Sequence, residues 1–324
     1  SIALASGYNL ATNKIPLVYM QNSGLGNTIN PLLSLADENV YSIPMLLLIG
    51  WRGNPDIKDE PQHVKQGAIT TDLLDTMKIP YSILPQDIDS VKTCLKDAID
   101  NMKSFSRPFA LVVKKGTFES YTLKKVKKTN FEMNREAALK NIIQLLNKDD
   151  IVITTTGKMS RELFEYRESI DDSHKKDFLT VGSMGHANQI ALGIALQKPE
   201  RIVYCIDGDG ALLMHTGSMG IIGDMAPENL RHIVINNGSH DSVGGQRTIA
   251  FSIDICAIAT GFNYNKTYKV ETASELKNQF NKFKSSKGPS LMEIMVNKGS
   301  RKDLGRPTVA PKENKKAFKS FLKE

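Results

Sequence analysis

The sequence predicts an α/β protein made of two units, each built on a parallel sheet. Two observations predict this class. Short apolar runs alternate with helical patterns along the chain, and the alternation stops at a lysine-rich segment and then starts again. Continuous apolar strands separated by helices are typical of parallel sheets that are covered on both faces. A length of 324 residues is enough for two domains.

The first unit is predicted over residues 1–115. Its apolar runs predict strands at residues 16–20, 44–49, 80–84 and 108–113. Helical patterns between them predict helices at residues 27–37, 68–77 and 89–102. The polar, lysine-rich residues 116–134 have the composition of a linker.

The second unit is predicted over residues 135–324. Strands are expected at residues 151–155, 201–206, 232–236 and 290–296. Helices are expected at residues 135–147, 186–197, 212–224 and 273–284. Thr272 and Glu275 form a capping-box pattern, in which each side chain satisfies a free backbone amide at the start of the last helix.

Composition restricts the classes of function. The net charge is +7, but the basic segments 114–128 and 312–323 lack interleaved aromatics and known nucleic-acid motifs. The charge therefore favours small anionic ligands over nucleic acid. The three cysteines are far apart and indicate no disulfide framework. Since no apolar stretch approaches 18 residues and no signal peptide is visible, we expect a cytoplasmic protein without membrane contact.

Two motifs follow neighbouring strands of the second unit. Gly208-Asp209-Gly210 comes after the strand at 201–206, and Asn236-Asn237 closes the next strand. Open α/β sheets bind ligands at the carboxyl ends of their strands. Carboxylate, amide and carbonyl oxygens suit Mg²⁺, which keeps further positions for phosphate and water. Taken alone, the first motif is also common in turns that bind nothing.

Together the two motifs resemble the cofactor-binding signature of thiamine-diphosphate enzymes. The resemblance implies thiamine diphosphate and Mg²⁺ as cofactors, with Asp209, Asn237 and the carbonyl oxygen of Ser239 on the metal. Two other segments are similar to family segments that line the cofactor, and Met184 matches the apolar residue that props the bent cofactor. The implied cofactor-binding residues are Thr156, Gly157, Lys158, Gly182, Ser183, Met184, Gly208, Asp209, Gly210, Ala211 and Asn237.

The first unit is similar to the pyrimidine-binding domain of the same family. Gly7-Tyr8, the residues 22–27 and Ile43-Pro44 carry this likeness. The implied fold has a pyrimidine-binding domain followed by a diphosphate- and Mg²⁺-binding domain, without the middle domain of many relatives. Family sites form between the first domain of one subunit and the second domain of another, which implies a homodimer or a larger homo-oligomer.

A glutamate beside the aminopyrimidine ring is essential in this family, and it precedes the helix that residues 1–11 resemble. The sequence has no Asp or Glu before Asp37. We therefore expect an N-terminally truncated sequence, with the catalytic glutamate just upstream of Ser1. A naturally glutamate-free member is the alternative.

Among short 2-oxo acid decarboxylases, the chain resembles phosphonopyruvate decarboxylases more than sulfopyruvate decarboxylases. Residues 51–53, 59–63, 237–246 and 299–307 carry this preference. The resemblance implies decarboxylation of phosphonopyruvate to phosphonoacetaldehyde and CO₂, in phosphonate biosynthesis. Guanidinium groups bind a tetrahedral anion well, and imidazoles move protons near neutral pH. The expected substrate-binding residues are Arg52, Arg301 and Arg306, and the expected proton carriers are His63 and His240.

Two rival functions remain open at this stage. A nucleotide-binding oxidoreductase would suit parallel α/β units, but no GxGxxG motif opens a first βα turn. A catalytically silent subunit that keeps the cofactor fold is supported by the missing glutamate. For each arginine and for His63, a structural role in a loop or core is the alternative to substrate contact.

Overall fold

The computed structural model describes residues 1–121 and 129–324. The chain divides into two compact units, Ser1–Lys124 and Lys125–Glu324. The linker predicted at 116–134 falls partly outside the described residues, and its boundaries stay a prediction.

The first unit contains a parallel sheet of four strands. In spatial order the strands are Leu17–Gln21, Leu46–Gly50, Phe109–Val113 and Tyr81–Ile83. All five residues of Phe109–Val113 are buried, as expected for a strand covered on both faces. Leu17 and Tyr19 are more than half exposed, so one face of the edge strand lies open.

The helices of the first unit differ from the predicted ones at 27–37, and the helix Pro61–Ala68 was not predicted. The observed α-helices are Ile2–Thr12, Ile29–Pro31, Pro61–Ala68, Thr70–Thr76 and Ile88–Phe105. The helix predicted at 27–37 is instead a 3₁₀ turn, one α-turn ending at Pro31 and a π-turn over Leu32–Ala36. Proline has no backbone N–H, so regular α-helical bonding cannot run through Pro31.

The second unit contains a parallel sheet of six strands. In spatial order they are Lys266–Val270, Ser290–Met295, Leu230–Asn236, Val203–Gly208, Ile151–Thr154 and Asp177–Leu179. The two outermost strands were absent from the predicted set. Apolar clusters cover both faces, because neighbouring residues such as Ile151 and Val152 point to opposite sides.

Helices cover the second sheet, and their bounds correct one prediction. They are Arg135–Gln144, Lys158–Ser169, Ala187–Gln197, Asp209–Met214, Ser218–Met225, Ile255–Gly261, Ala273–Ser285 and Pro311–Phe321. The single helix predicted at 212–224 is two helices, separated at His215–Gly217. The predicted capping box is confirmed: Glu275 N donates to Thr272 Oγ1 over 3.1 Å, and Glu275 Oε2 accepts from Thr272 N.

Within the described ranges, no helix has the length and apolar character needed to cross a bilayer.

Candidate active site

The candidate site lies at the carboxyl ends of two neighbouring strands, Ile151–Thr154 and Val203–Gly208. Along the chain, Ile151–Thr154 is followed by the strand Asp177–Leu179, which lies on one side of this pair. Val203–Gly208 is followed by the strand Leu230–Asn236, which lies on the other side. This reversal is a topological switch point, which opens a crevice at the strand ends. The residues predicted to bind a diphosphate, 156–158 and 208–211, directly follow these two strands.

Asp209 is a buried carboxylate at this edge. Its side chain accepts from Thr248 Oγ1 over 2.5 Å and from Asn237 N over 3.4 Å, and the residue is only 2% exposed. Burial raises the pKa of Asp209 to about 6, although the Thr248 bond opposes the shift. No Lys, Arg or His among the described residues forms an ion pair with it. A buried carboxylate without a protein cation is suited to a metal ion.

Asn237 lies beside Asp209, at the end of the adjacent strand. Its Nδ2 donates to Asp241 Oδ2 over 2.8 Å, and its Oδ1 accepts from Ser239 N over 3.0 Å. Ser239 Oγ and His240 Nδ1 are buried without a hydrogen-bond partner in the described part of the chain. The predicted metal-binding residues Asp209 and Asn237 are therefore in contact. The unpartnered atoms of Ser239 and His240 follow Asn237 directly in the chain.

Gly210 is required by a close approach. A methyl group at this position would lie 2.4 Å from Nδ1 of His240, so the imidazole lies directly against the backbone that follows Asp209. His240 is half-buried, and burial lowers its pKa. The predicted proton carrier thus lies against the predicted metal-binding turn.

The loop after Ile151–Thr154 joins two other predicted segments. Thr156 Oγ1 accepts from Gly182 N over 2.9 Å, and Lys158 N donates to Ser242 Oγ over 3.2 Å. Gly157 has a φ of +99°, which favours glycine, and a methyl group there would lie 2.5 Å from Ser242 Oγ. The hydroxyls of Thr155 and Thr180 are buried without partners among the described residues. These free polar groups are chemically suited to phosphate oxygens.

The segment predicted to prop the cofactor is a tight turn. Gly182, Ser183 and Gly185 all have positive φ, and Met184 between them is half-buried. The turn leads into helix Ala187–Gln197, with the rings of His186 and His215 centred 4.4 Å apart. A side chain on Gly185 would meet His215. The structure thus presents Met184 on a constrained loop, and its contact with a cofactor stays a prediction.

In the first unit, Arg52 and His63 lie near each other. Arg52 pairs with Asp59 through Nε and Nη2, over 2.7 and 2.5 Å. Burial, followed by the charge of Arg52, lowers the pKa of His63, and its Nδ1 has no partner in the described residues. A guanidinium already bound to a carboxylate must exchange that partner, or share it, to bind a substrate anion.

Arg301 and Arg306 belong to the second unit. Arg301 contacts three carboxylates, Glu136 at 3.2 Å, Asp303 at 3.3 Å and Glu165. Arg306 is exposed. Arg301 is therefore held by carboxylates of its own chain. The substrate contact expected of both arginines stays a prediction.

Another polar cluster lies within the sheet, beneath this edge. His232 Nδ1 is 3.2 Å from the Tyr264 hydroxyl, and its Nε2 is 3.7 Å from Asp207 Oδ2. Cys205 completes a group whose polar atoms lie within 4.8 Å of one another. His232 and Asp207 are fully buried, and His232 Nε2 and Asp207 Oδ2 have no hydrogen-bond partner among the described residues.

Besides Thr155 and Thr180, four residues of the site were not predicted from the sequence. Thr248 bonds Asp209, and a chain of Asp241, Arg135 and Glu162 ends on Asn237. Only Asp241 carried a local signal, an acid four residues after the second asparagine. The others come from separate elements, and only the folded chain brings them to the site.

Comparisons with known proteins identify relatives of this chain. Residues 155–294 match the family described as "Thiamine pyrophosphate enzyme, C-terminal TPP binding domain". A phosphonopyruvate decarboxylase of Streptomyces viridochromogenes is 35% identical over 93% of this chain and 78% of its own length. A phosphonopyruvate decarboxylase of Streptomyces hygroscopicus is 33% identical over 94% and 78%. A sulfopyruvate decarboxylase of Methanosarcina acetivorans is 29% identical over 99% and 85%.

These matches confirm the predicted family and fold class. The matched region of the family model contains every residue predicted to bind the cofactor, from Thr156 to Asn237. The identity to the two Streptomyces enzymes extends over both units, since it covers more than nine-tenths of the chain. The chain belongs to the phosphonopyruvate decarboxylase family of thiamine pyrophosphate enzymes.

Proposed function

We propose that this protein converts phosphonopyruvate to phosphonoacetaldehyde and CO₂, using thiamine diphosphate and Mg²⁺. The carboxyl group leaves as CO₂, and the carbon that carried it takes up one proton. The observation that carries the proposal is Asp209, a buried carboxylate at the switch point with no cation partner among the described residues.

Asp209, Asn237 and the Ser239 carbonyl would hold Mg²⁺, and with it the diphosphate. Hydroxyl groups lie at the ends of two neighbouring strands: Thr155 and Thr156 follow Ile151–Thr154, and Thr180 follows Asp177–Leu179. The hydroxyls of Thr155 and Thr180 have no partner among the described residues. Thiamine diphosphate, when bound, supplies a nucleophilic carbon and takes up the electrons that departing CO₂ leaves behind. Burial at this edge excludes water and strengthens each of these polar contacts.

The protein's own groups would bind the phosphonate and move the proton. His240 has an unpartnered Nδ1 next to the metal-binding turn, so it can hold a proton for the product carbon. His63 is the corresponding candidate in the first unit. The guanidinium groups of Arg52, Arg301 and Arg306 are the candidates for the phosphonate.

The direct test is to measure CO₂ release from phosphonopyruvate and from sulfopyruvate, with and without thiamine diphosphate, and after chelation of divalent ions. We expect turnover that depends on both cofactors and a higher kcat/KM for phosphonopyruvate. Equal or faster turnover of sulfopyruvate would instead make sulfopyruvate the substrate. The similarity to the sulfopyruvate decarboxylase of Methanosarcina acetivorans supports this alternative.

We also propose a homodimer or a larger homo-oligomer in the cytoplasm. The support is the family resemblance, in which two subunits complete each site. Sedimentation of the protein with its cofactors is expected to give at least twice the mass of one chain, 35.9 kDa. An active species that sediments as a monomer would contradict this.

A further inference from the structure

A buried chain of charged groups ends on the side chain of Asn237. Glu162 binds the fork of Arg135 through two hydrogen bonds of 2.7 and 2.8 Å. Arg135 Nη1 donates to Asp241 Oδ2 over 3.1 Å, and the same oxygen accepts from Asn237 Nδ2 over 2.8 Å. The side chains of Arg135, Glu162 and Asp241 are at most 9% exposed.

The position of Asp241 is fixed from several directions. Arg135 opens helix Arg135–Gln144, and Glu162 lies on helix Lys158–Ser169. Gly299 N adds a third hydrogen bond to Asp241 Oδ2, over 2.9 Å. One carboxylate oxygen therefore accepts donors from a helix, from the end of a central strand and from a distant loop. Such a group cannot rotate without breaking several bonds at once.

The chemistry of an amide gives this arrangement a consequence. An asparagine side chain has an acceptor at one end and a donor at the other, whereas an ionised carboxylate only accepts. Asp241 therefore fixes the donor end of Asn237 on its own side. At the other end Oδ1 accepts from Ser239 N and keeps a second lone pair for a ligand. Reversal of the amide would present N–H groups, which cannot bind a metal ion.

We propose that Asp241, held by Arg135 and Glu162, is a positioning residue that orients the Asn237 amide oxygen toward the divalent ion and so sets the affinity for Mg²⁺. The proposal rests on the proposed binding of Mg²⁺ and thiamine diphosphate at this site. Groups that orient metal ligands typically change metal affinity 10- to 100-fold when they are removed.

Asp241→Asn is the informative substitution. It keeps the shape of the side chain but replaces an acceptor by a group that also donates. The Asn237 amide then loses one of the two bonds that set its orientation, and the bond from Ser239 N to Oδ1 remains. Arg135 keeps its fork on Glu162, so no buried cation is left alone. The variant is therefore expected to fold.

Asp177→Asn is a matched control in the same unit. Asp177 is fully buried and binds the fork of Arg167 over 2.9 Å at both oxygens, and Arg167 keeps Asp172 when Asp177 is changed. The control makes the same substitution in a buried pair that none of the predicted metal ligands contacts.

The readout is the Mg²⁺ dissociation constant at saturating thiamine diphosphate, measured by calorimetry. We expect it to rise about 10- to 100-fold in Asp241→Asn and to stay within about twofold of wild type in Asp177→Asn. No Mg²⁺ binding by the wild type would overturn the proposed function. Wild-type binding that Asp241→Asn leaves unchanged, or that Asp177→Asn weakens equally, would overturn this inference alone.

A double-mutant cycle separates orientation from simple loss of charge. In an Asn237→Ala background there is no amide to orient, so adding Asp241→Asn is expected to change the Mg²⁺ affinity by less than about twofold. The same fold-change in both backgrounds would overturn the orienting role. If circular dichroism shows that Asp241→Asn does not fold, Arg135→Lys replaces it, because it keeps Asp241 and the positive charge. Its weaker hold on Asp241 is expected to raise the dissociation constant severalfold, and wild-type affinity would overturn the inference.

Discussion

The second unit treats two buried aspartates in opposite ways. Asp177, on an edge strand, is bound by the fork of Arg167. Asp209, at the end of a central strand, accepts from the Thr248 hydroxyl and from backbone amides, and no described cation pairs with it. Burial raises the pKa of both carboxyls. Asp177 thus has a cationic partner, whereas none of the described residues supplies a cation to Asp209, where a ligand is expected. The missing counter-ion is the more informative observation.

The largest effect is expected from Asp209→Asn. The amide keeps the shape and can still accept from Thr248, but it removes the charge that would bind a divalent ion. We expect the Mg²⁺ dissociation constant to rise about 100-fold or more, since a metal ligand is lost rather than a neighbour of one. Calorimetry at saturating thiamine diphosphate measures this.

The cofactor-free protein supplies the control for that substitution. Removing a buried charge that lacks a partner is expected to leave its melting temperature unchanged or to raise it. A large loss of stability in the cofactor-free state would mean that Asp209 is a structural group, and the contrast with Asp177 would disappear.

A comparable effect, on stability instead of Mg²⁺ affinity, is expected from Asp177→Asn. Half of a buried ion pair is removed, which typically costs 3–5 kcal/mol. Because Arg167 keeps Asp172, we expect a loss of about 3 kcal/mol in the free energy of unfolding, from urea titration followed by circular dichroism. Unchanged stability would show that the Asp177–Arg167 pair does not stabilise the fold, and the contrast with Asp209 would disappear.

The smallest effect is expected at Asp59, whose partner Arg52 is 42% exposed. The hydrogen bond from Arg52 holds the pKa of Asp59 well below its usual value. A lowered pKa in the folded state adds stability above the unfolded pKa of about 4, and this contribution is lost as the pH falls below it.

Asp59→Asn should therefore melt closer to wild type at pH 2 than at pH 7. We expect a difference of about 2–4 °C at pH 7, because Arg52 is 42% exposed but Asp59 is only 15% exposed and also accepts from Gly53 N and Glu60 N. Melting curves over this pH range measure it. A larger difference at pH 2 than at pH 7 would contradict the assigned direction of the shift.

Sequence reasoning predicted the central strands of both sheets, because buried parallel strands are continuous apolar runs. It missed Asp177–Leu179, which has only three residues, and Lys266–Val270, whose lysines give it a polar pattern. Edge strands are exposed on one side, so the hydrophobic signal is weak there. The break at His215–Gly217 carries a local signal, a polar stretch that contains Gly217, which the helix predicted at 212–224 does not take into account.

The candidate site was predictable to the extent that its residues follow strands. Asp209 and Asn237 stand at strand ends, and parallel strand ends meet at one edge of a sheet. Thr248 and Arg135 reach the same edge from elements far away in the chain. Nothing in their local sequence indicates this, because long-range packing alone brings them there.

The shared oxygen of Asp241 also has an evolutionary consequence. A change at Arg135 alone would leave two buried carboxylates without their shared cation, and a change at Glu162 alone would remove the carboxylate that binds the guanidinium at two points. Natural selection is therefore expected to remove single substitutions at these positions. Among relatives, the three sites are expected to vary together or to be inherited unchanged as one set.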